Sequence, residues 1–170
     1  MDLPEDEAVE AQYLLAHNLL REHGYSHYEL SSFAKPGRES GHNSSYWRGF
    51  SYLGLGPSAH SYDGKQRSWN LAHNAHYLRA VTQHELPLDA KEILSEEDHY
   101  NEFLMTRLRL AEGLDLEELE ERFEYDFWEE QAPYIDSLIG EGLMWRKSNR
   151  IGLSPRGWII SDSLVAAFFR

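Results

Sequence analysis

The chain has no cysteine among its 170 residues. That excludes disulfides, thiolate-held zinc and a cysteine-held iron–sulfur cluster within this chain. It has no apolar run of membrane-spanning length, and its opening residues, Met1 to Glu7, are the opposite of a basic signal peptide. Positive charge is also scarce: 16 Lys and Arg face 29 Asp and Glu, a net charge of −13. This argues against nonspecific binding to nucleic acid or anionic lipid. A cytoplasmic protein is the expectation. Apolar residues make up 41% of the chain, enough to build a core, so wholesale disorder is not expected.

In chain order, Pro4 suits the first turn of a helix and Glu5, Asp6 and Glu7 suit its positive end. Val9, Tyr13, Ala16 and Leu20 recur at helical spacing, Leu15 and Leu19 widen the apolar face, and Gly24 is the stop. Tyr25 to Ser32 reads as a strand, which makes half an α/β unit in need of a larger sheet. Phe33 to Trp47, with Pro36-Gly37 and Gly41, reads as a long loop. Tyr52 to Leu55 is a short strand, and Ser61 to Trp69 a hairpin turning at Asp63-Gly64. Asn70 to Glu85 is expected to be a helix that partly buries Tyr77, Leu78 and Val81.

A domain boundary is expected near residue 90, dividing 1–90 from 91–170. Ser95-Glu96-Glu97-Asp98 forms a capping box with Asp in place of Glu. Helices then follow around Phe103 to Ala111, from Asp115 to Phe123, and from Phe127 to Ile139 with Pro133 inside. Two strands flank Ser148-Asn149-Arg150, and Ser154-Pro155 opens a last helix. This order resembles a winged helix. Residues 95–170 nevertheless hold 17 acidic and 8 basic residues, a net of −9, so the DNA use of such a fold is not expected and no nucleic-acid partner is assigned.

The densest chemistry lies at Gly41-His42-Asn43-Ser44-Ser45-Tyr46-Trp47 and at Tyr52-Leu53-Gly54-Leu55-Gly56-Pro57-Ser58-Ala59-His60-Ser61. His42 could ligate a metal or a haem iron, Tyr46 and Trp47 could offer a flat apolar surface, and Asn43 could bond a propionate or hold the loop. The plainer alternative is a histidine at a turn with two aromatics in a core. Gly54 and Gly56 could let backbone approach a ligand, with His60 beside them, or could simply make a tight turn. His73 and His76 sit three apart without a third ligand. His17, His23, His27, His84 and His99 form no recognisable set, and no hydrolase site is legible.

Together with Tyr28-Glu29-Leu30-Ser31-Ser32-Phe33-Ala34-Lys35-Pro36-Gly37, Glu112-Gly113-Leu114-Asp115-Leu116 and Leu153-Ser154-Pro155-Arg156-Gly157, these motifs closely resemble the oxygen-independent coproporphyrinogen III oxidase-like proteins. The pattern His42-Asn43-x-x-Tyr46-Trp47 is similar to that of their haem chaperone branch. The resemblance implies the second half of a radical S-adenosylmethionine protein: the last units of a partial β/α barrel, then a small, mainly helical domain, an α+β or α/β chain overall. It implies haem binding at His42, Asn43, Tyr46 and Trp47, with His42 as the candidate iron ligand. It also implies one wall of an S-adenosylmethionine site at Gly54, Gly56 and His60. S-adenosylmethionine and an iron–sulfur cluster would belong to the full-length protein. Gly41 departs from the family, where arginine is frequent. The implied role is to bind haem or porphyrin and pass it to an accepting protein, with the membrane as one place for that acceptor. Two other readings stay open: part of an oxidase that decarboxylates porphyrin propionates, and an inactive fragment that self-associates through an open barrel edge.

Overall fold

The computed structural model describes residues 5–170, so the expectation for Pro4 lies outside the described residues. The chain divides into two compact units. One comprises the chain up to Trp47 together with Tyr100–Arg170, and the other is Arg48–His99.

The first unit begins with helix α1, Asp6–Glu22, with Asp6 and Glu7 in its first turn. Its inward stripe is Tyr13, His17 and Leu20, while Val9, Leu15 and Leu19 are 45–65% exposed. The apolar face is therefore narrower than its leucines suggest. Strands β1, Ser26–Glu29, and β2, Ser32–Ala34, follow as an antiparallel pair. The connection at Leu30-Ser31 is too short for anything but a hairpin. The segment expected as a loop ends in a helix, α2, Gly41–Trp47.

After the second unit the chain returns. Helix α4, Glu96–Leu108, crosses from one unit into the other. It is followed by α5, Leu116–Phe123, and α6, Phe127–Gly140. Asp115 caps α5 by accepting from the Glu117 and Glu118 N–H groups, and Asp126 caps α6 by accepting from Glu129. Helix α6 runs from Phe127 to Gly140 with Pro133 inside it. Strands β6, Leu114–Asp115, β7, Met144–Lys147, and β8, Arg150–Leu153, form an antiparallel sheet in the order β6-β8-β7. Ser154 caps α7, Pro155–Ile159, and α8, Ser161–Ala166, closes the chain.

The core belongs to this unit. Leu104, Leu108, Leu114, Leu119, Ile135 and Ile151 are fully buried, joined by Tyr100, Phe127 and Phe168. Each such side chain contributes about 1.5–3 kcal/mol of transfer free energy. Backbone bonds draw the N-terminal elements into the same body. The Leu30 N–H donates to the Arg109 carbonyl at 3.0 Å, and the Ala111 N–H to the Tyr28 carbonyl at 3.1 Å. These bonds explain why the observed units differ from a division at residue 90.

The second unit holds an antiparallel sheet, β3 His60–Tyr62, β4 Gln66–Asn70 and β5 Leu88–Ile93, in the order β3-β4-β5. Helix α3, Asn74–Thr82, lies between β4 and β5 in sequence. The hairpin turns at Asp63-Gly64 as expected. Tyr52 to Leu55 contributes only a single bridge, Tyr52 to Tyr62. Strand β5 crosses the expected boundary at residue 90 because residues on both sides of it, Leu88 and Ala90 to Ile93, pair with β4. Leu78 and Val81, expected to be partly buried, are 62% and 46% exposed.

The molecule is thus a mixed α/β protein. Among the described residues every strand pair is antiparallel, and there is no closed barrel. The expected half of a parallel α/β unit becomes a helix followed by a hairpin. No described helix is long and apolar enough to cross a membrane.

Candidate functional site

The residues of the expected haem motif lie together on α2. Ser40 opens this helix: its hydroxyl accepts from the Asn43 N–H at 3.3 Å, and its carbonyl from the Ser44 N–H at 3.0 Å. Helical spacing divides the motif between two faces. His42 and Tyr46, four residues apart, share one. Both are exposed, and their rings meet edge to face at 4.9 Å between centroids. Asn43 and Trp47 share the other and are half-buried. The ring of Trp47 lies beneath the Arg109 guanidinium at 4.4 Å, and its carbonyl accepts from Arg107 Nη1 at 3.3 Å. Trp47 is therefore a packed residue, while His42 and Tyr46 form an open surface.

Gly54, Gly56 and His60 come together in the second unit. A Cβ on Gly54 would lie 2.1 Å from the His60 carbonyl oxygen, so the chain's own packing demands glycine there. The Gly54 N–H donates to Ser61 Oγ at 2.9 Å, and the Asn70 amide bridges the Gly54 and Gly56 carbonyls at 3.2 and 2.9 Å. The Gly56 N–H donates to the Tyr77 hydroxyl at 3.1 Å. Gly56 has a φ of +111°, which favours glycine, and a Cβ there would meet open space. The turn thus uses its own polar backbone internally. The surfaces left for a ligand are the open side of Gly56 and the exposed His60 ring, which lies 5.7 Å from that of Trp69.

His73 is the N-cap of α3, its Nδ1 accepting from the Ala75 N–H at 3.2 Å. Two arginines of the β7–β8 hairpin are also engaged. Arg146 lies 3.5 Å over the Trp128 ring, and Arg150 pairs with Asp115 at 2.9 Å.

Two buried clusters were not legible in the sequence. In the first, His17 and His27 approach at 2.8 Å between their Nδ1 atoms. His27 Nε2 lies 3.2 Å from the Leu30 carbonyl, which can only accept, so Nε2 carries the proton and Nδ1 accepts. His17 then donates from Nδ1, and its Nε2 accepts from Arg21 at 3.4 Å. Both imidazoles are fixed as neutral tautomers. Burial pushes His27 down to about 4, with the Leu30 carbonyl opposing and His17 reinforcing the shift. The His27 ring stacks on Phe33 at 3.9 Å and meets Trp158 edge-on at 4.6 Å. The open pocket beside the pair has a volume of about 380 Å³. The second cluster centres on Glu29, only 1% exposed. Its carboxylate accepts from Ser31 Oγ at 2.7 Å and from Arg109 Nε at 3.1 Å. Burial pushes its pKa up, but the bonds from Ser32 and Ser31 and the pairing with Arg109 outweigh it, so the group is held below its ordinary value. A serine pair after a glutamate was visible in the sequence, but its partner stands 80 residues away.

Residues 94–160 match the family described as HemN C-terminal domain. Over 162 residues the chain is 32% identical to a protein of Mycobacterium tuberculosis named heme chaperone HemW, covering 95% of this chain and 40% of that one. Proteins of the same name match over 98% of this chain in Lactococcus lactis, at 30% identity, and in Haemophilus influenzae, at 34%, each over 43% of its own length. Among solved structures, coproporphyrinogen III oxidase (HemN) from Escherichia coli, a radical SAM enzyme, superposes with a TM-score of 0.73 at 19% identity. It covers 99% of this chain and 42% of its own. At that identity the likeness speaks for the fold. The chain spans about two fifths of the length of the curated relatives it matches. Residues 94–160 thus match the HemN C-terminal domain, and along nearly its whole length the chain is similar to relatives named heme chaperone HemW.

Proposed function

We propose that this chain supplies the haem-contacting surface of a haem chaperone and takes part in passing haem to an accepting protein. The observation that carries the reading is the exposed His42 imidazole, braced edge-on by Tyr46 on a helix whose adjoining face is anchored. An exposed neutral imidazole can ligate the iron of a bound haem, and Tyr46 can border the macrocycle. Asn43 and Trp47, on the other face, position the helix in this reading rather than touch the cargo. Handing cargo on requires that it be held at an accessible surface, and His42 is accessible. The fold likeness to an oxidase does not favour decarboxylation by this chain over carriage.

In longer relatives, we read Gly56 and His60 as part of one wall of an S-adenosylmethionine site, with Gly54 setting the turn. That cofactor and its cluster would be held mainly by residues outside this chain, which has no cysteine. Helices α4 to α6 and the β6-β8-β7 sheet are read as a winged-helix-like arrangement whose hairpin does not serve DNA, Arg146 and Arg150 being spent on Trp128 and Asp115. A cytoplasmic setting fits the acidic composition. Self-association would run along β5, where Asp89, Lys91 and Glu92 oppose it.

The test is a hemin titration of the wild-type chain and of His42→Ala, followed by absorbance. A saturable Soret change that is weakened in the variant supports the reading. Equal binding by both proteins, or none by either, overturns it.

A further inference from the structure

We propose that Glu29 and Arg109 are positioning residues for the His42 helix: a buried carboxylate orients a guanidinium, which clamps Trp47 and so sets where His42 and Tyr46 point. The functional side of this inference rests on the haem reading above, while its structural side does not.

Helix α2 has seven residues and none of them is buried. A helix of that length is not stable on its own and must be held from outside. Two anchors hold it. At its start, the Ser40 N–H donates to the Tyr28 hydroxyl at 3.4 Å. At its end, Arg107 donates to the Trp47 carbonyl and Arg109 covers the Trp47 ring. The indole Nε1 of Trp47 is buried and has no hydrogen-bond partner among the described residues, so stacking and packing hold this ring. Both anchors trace back to β1, through Tyr28 and its neighbour Glu29.

The guanidinium is the sensitive part. A planar cation stacks over an aromatic face only when its plane is fixed. Here the fixing group is Glu29 Oε2, which accepts from Arg109 Nε at 3.1 Å. Ser31 holds the other carboxylate oxygen through its N–H at 3.2 Å and its hydroxyl at 2.7 Å. The carboxylate therefore has little freedom to swing. Arg107, the other cation at Trp47, is pinned to Glu118 at 2.7 Å. Trp47 is five residues from His42, so a change in how its ring is seated rotates the face that carries His42 and Tyr46.

The experiment uses the whole chain, wild type and Arg109→Lys, with Glu29→Gln as a second variant. Arg109→Lys keeps the charge beside Glu29 and removes the planar stack. Without haem, indole N–H and histidine ring C–H resonances are recorded, assigned through Trp47→Phe and His42→Ala. The proposal expects the Trp47 and His42 signals to move in both variants, with the His17 and His27 signals unchanged. Hemin affinity should then fall about tenfold, the scale of losing an outer partner of a metal ligand. A Trp47 signal that stays in place in both variants overturns the clamp. A His42 signal that stays in place while Trp47 moves overturns the positioning of His42, as does unchanged hemin affinity. If the wild-type chain binds no hemin, the haem reading fails, and the resonances still decide the clamp.

Discussion

The unit that contains the helices α5 to α8 and the unit formed by Arg48–His99 are each held by different forces. In the first, seventeen of the described residues form one buried apolar cluster. In the second, the buried apolar side chains are Ala80 and Leu94, while Leu53, Leu55, Leu86 and Ile93 are 77–86% exposed. What holds the smaller unit is polar: the ladder between β4 and β5, the Asn70 bridge to Gly54 and Gly56, and the Tyr77 hydroxyl. A hydrophobic core tolerates no change in volume, whereas a hydrogen-bonded scaffold tolerates no loss of a partner. Substitutions should therefore hurt different residue types in the two units.

The largest effect is expected from Leu104→Ala in the first unit, about 2–5 kcal/mol lost in a urea titration, because a fully buried leucine leaves a cavity. Acid should come next. His27 titrates near 6.5 when unfolded and is held at about 4 when folded. Between those values the unfolded state takes up a proton that the folded state refuses. Stability is therefore complete above pH 6.5 and falls as the pH drops toward 4, by about 2 kcal/mol once solvent screening is allowed for. Urea midpoints at several pH values should show this slope, and His27→Gln should flatten it.

Asn70→Ala should cost about 1 kcal/mol and raise hydrogen exchange in residues 52–62, since two half-buried carbonyls lose their donor. The smallest effect is expected from Leu55→Ala, within about 0.5 kcal/mol, as its side chain is 82% exposed. If Leu55→Ala cost as much as Leu104→Ala, the contrast between the units would be wrong.

The sequence was most readable where the determinants are local. The Ser95 and Asp98 box closes with bonds of 2.9 and 3.1 Å, and Asp115, Ser154 and the Asp63-Gly64 turn act where they were expected. It misled where pairing across the chain decides. Strand β5 has no alternating pattern and exists because β4 is beside it. Helix α2 was hidden by Gly41 and by its lack of a buried face; it is held by Tyr28, Arg107 and Arg109. The motif residues stand out in the sequence as a group, but their division into an exposed and an anchored face needs the helix. The Glu29–Arg109 pair, 80 residues apart, and the His17–His27 pair leave no local mark.

In the proposed function His42 is the residue through which haem is held. The most direct measurement is the visible and electron paramagnetic resonance spectrum of the hemin-loaded chain, taken for wild type, for His42→Ala, and for His42→Ala with added imidazole. The expected result is an imidazole-ligated spectrum that disappears in the variant and returns when imidazole is supplied. A spectrum that is the same with and without the His42 side chain would contradict it.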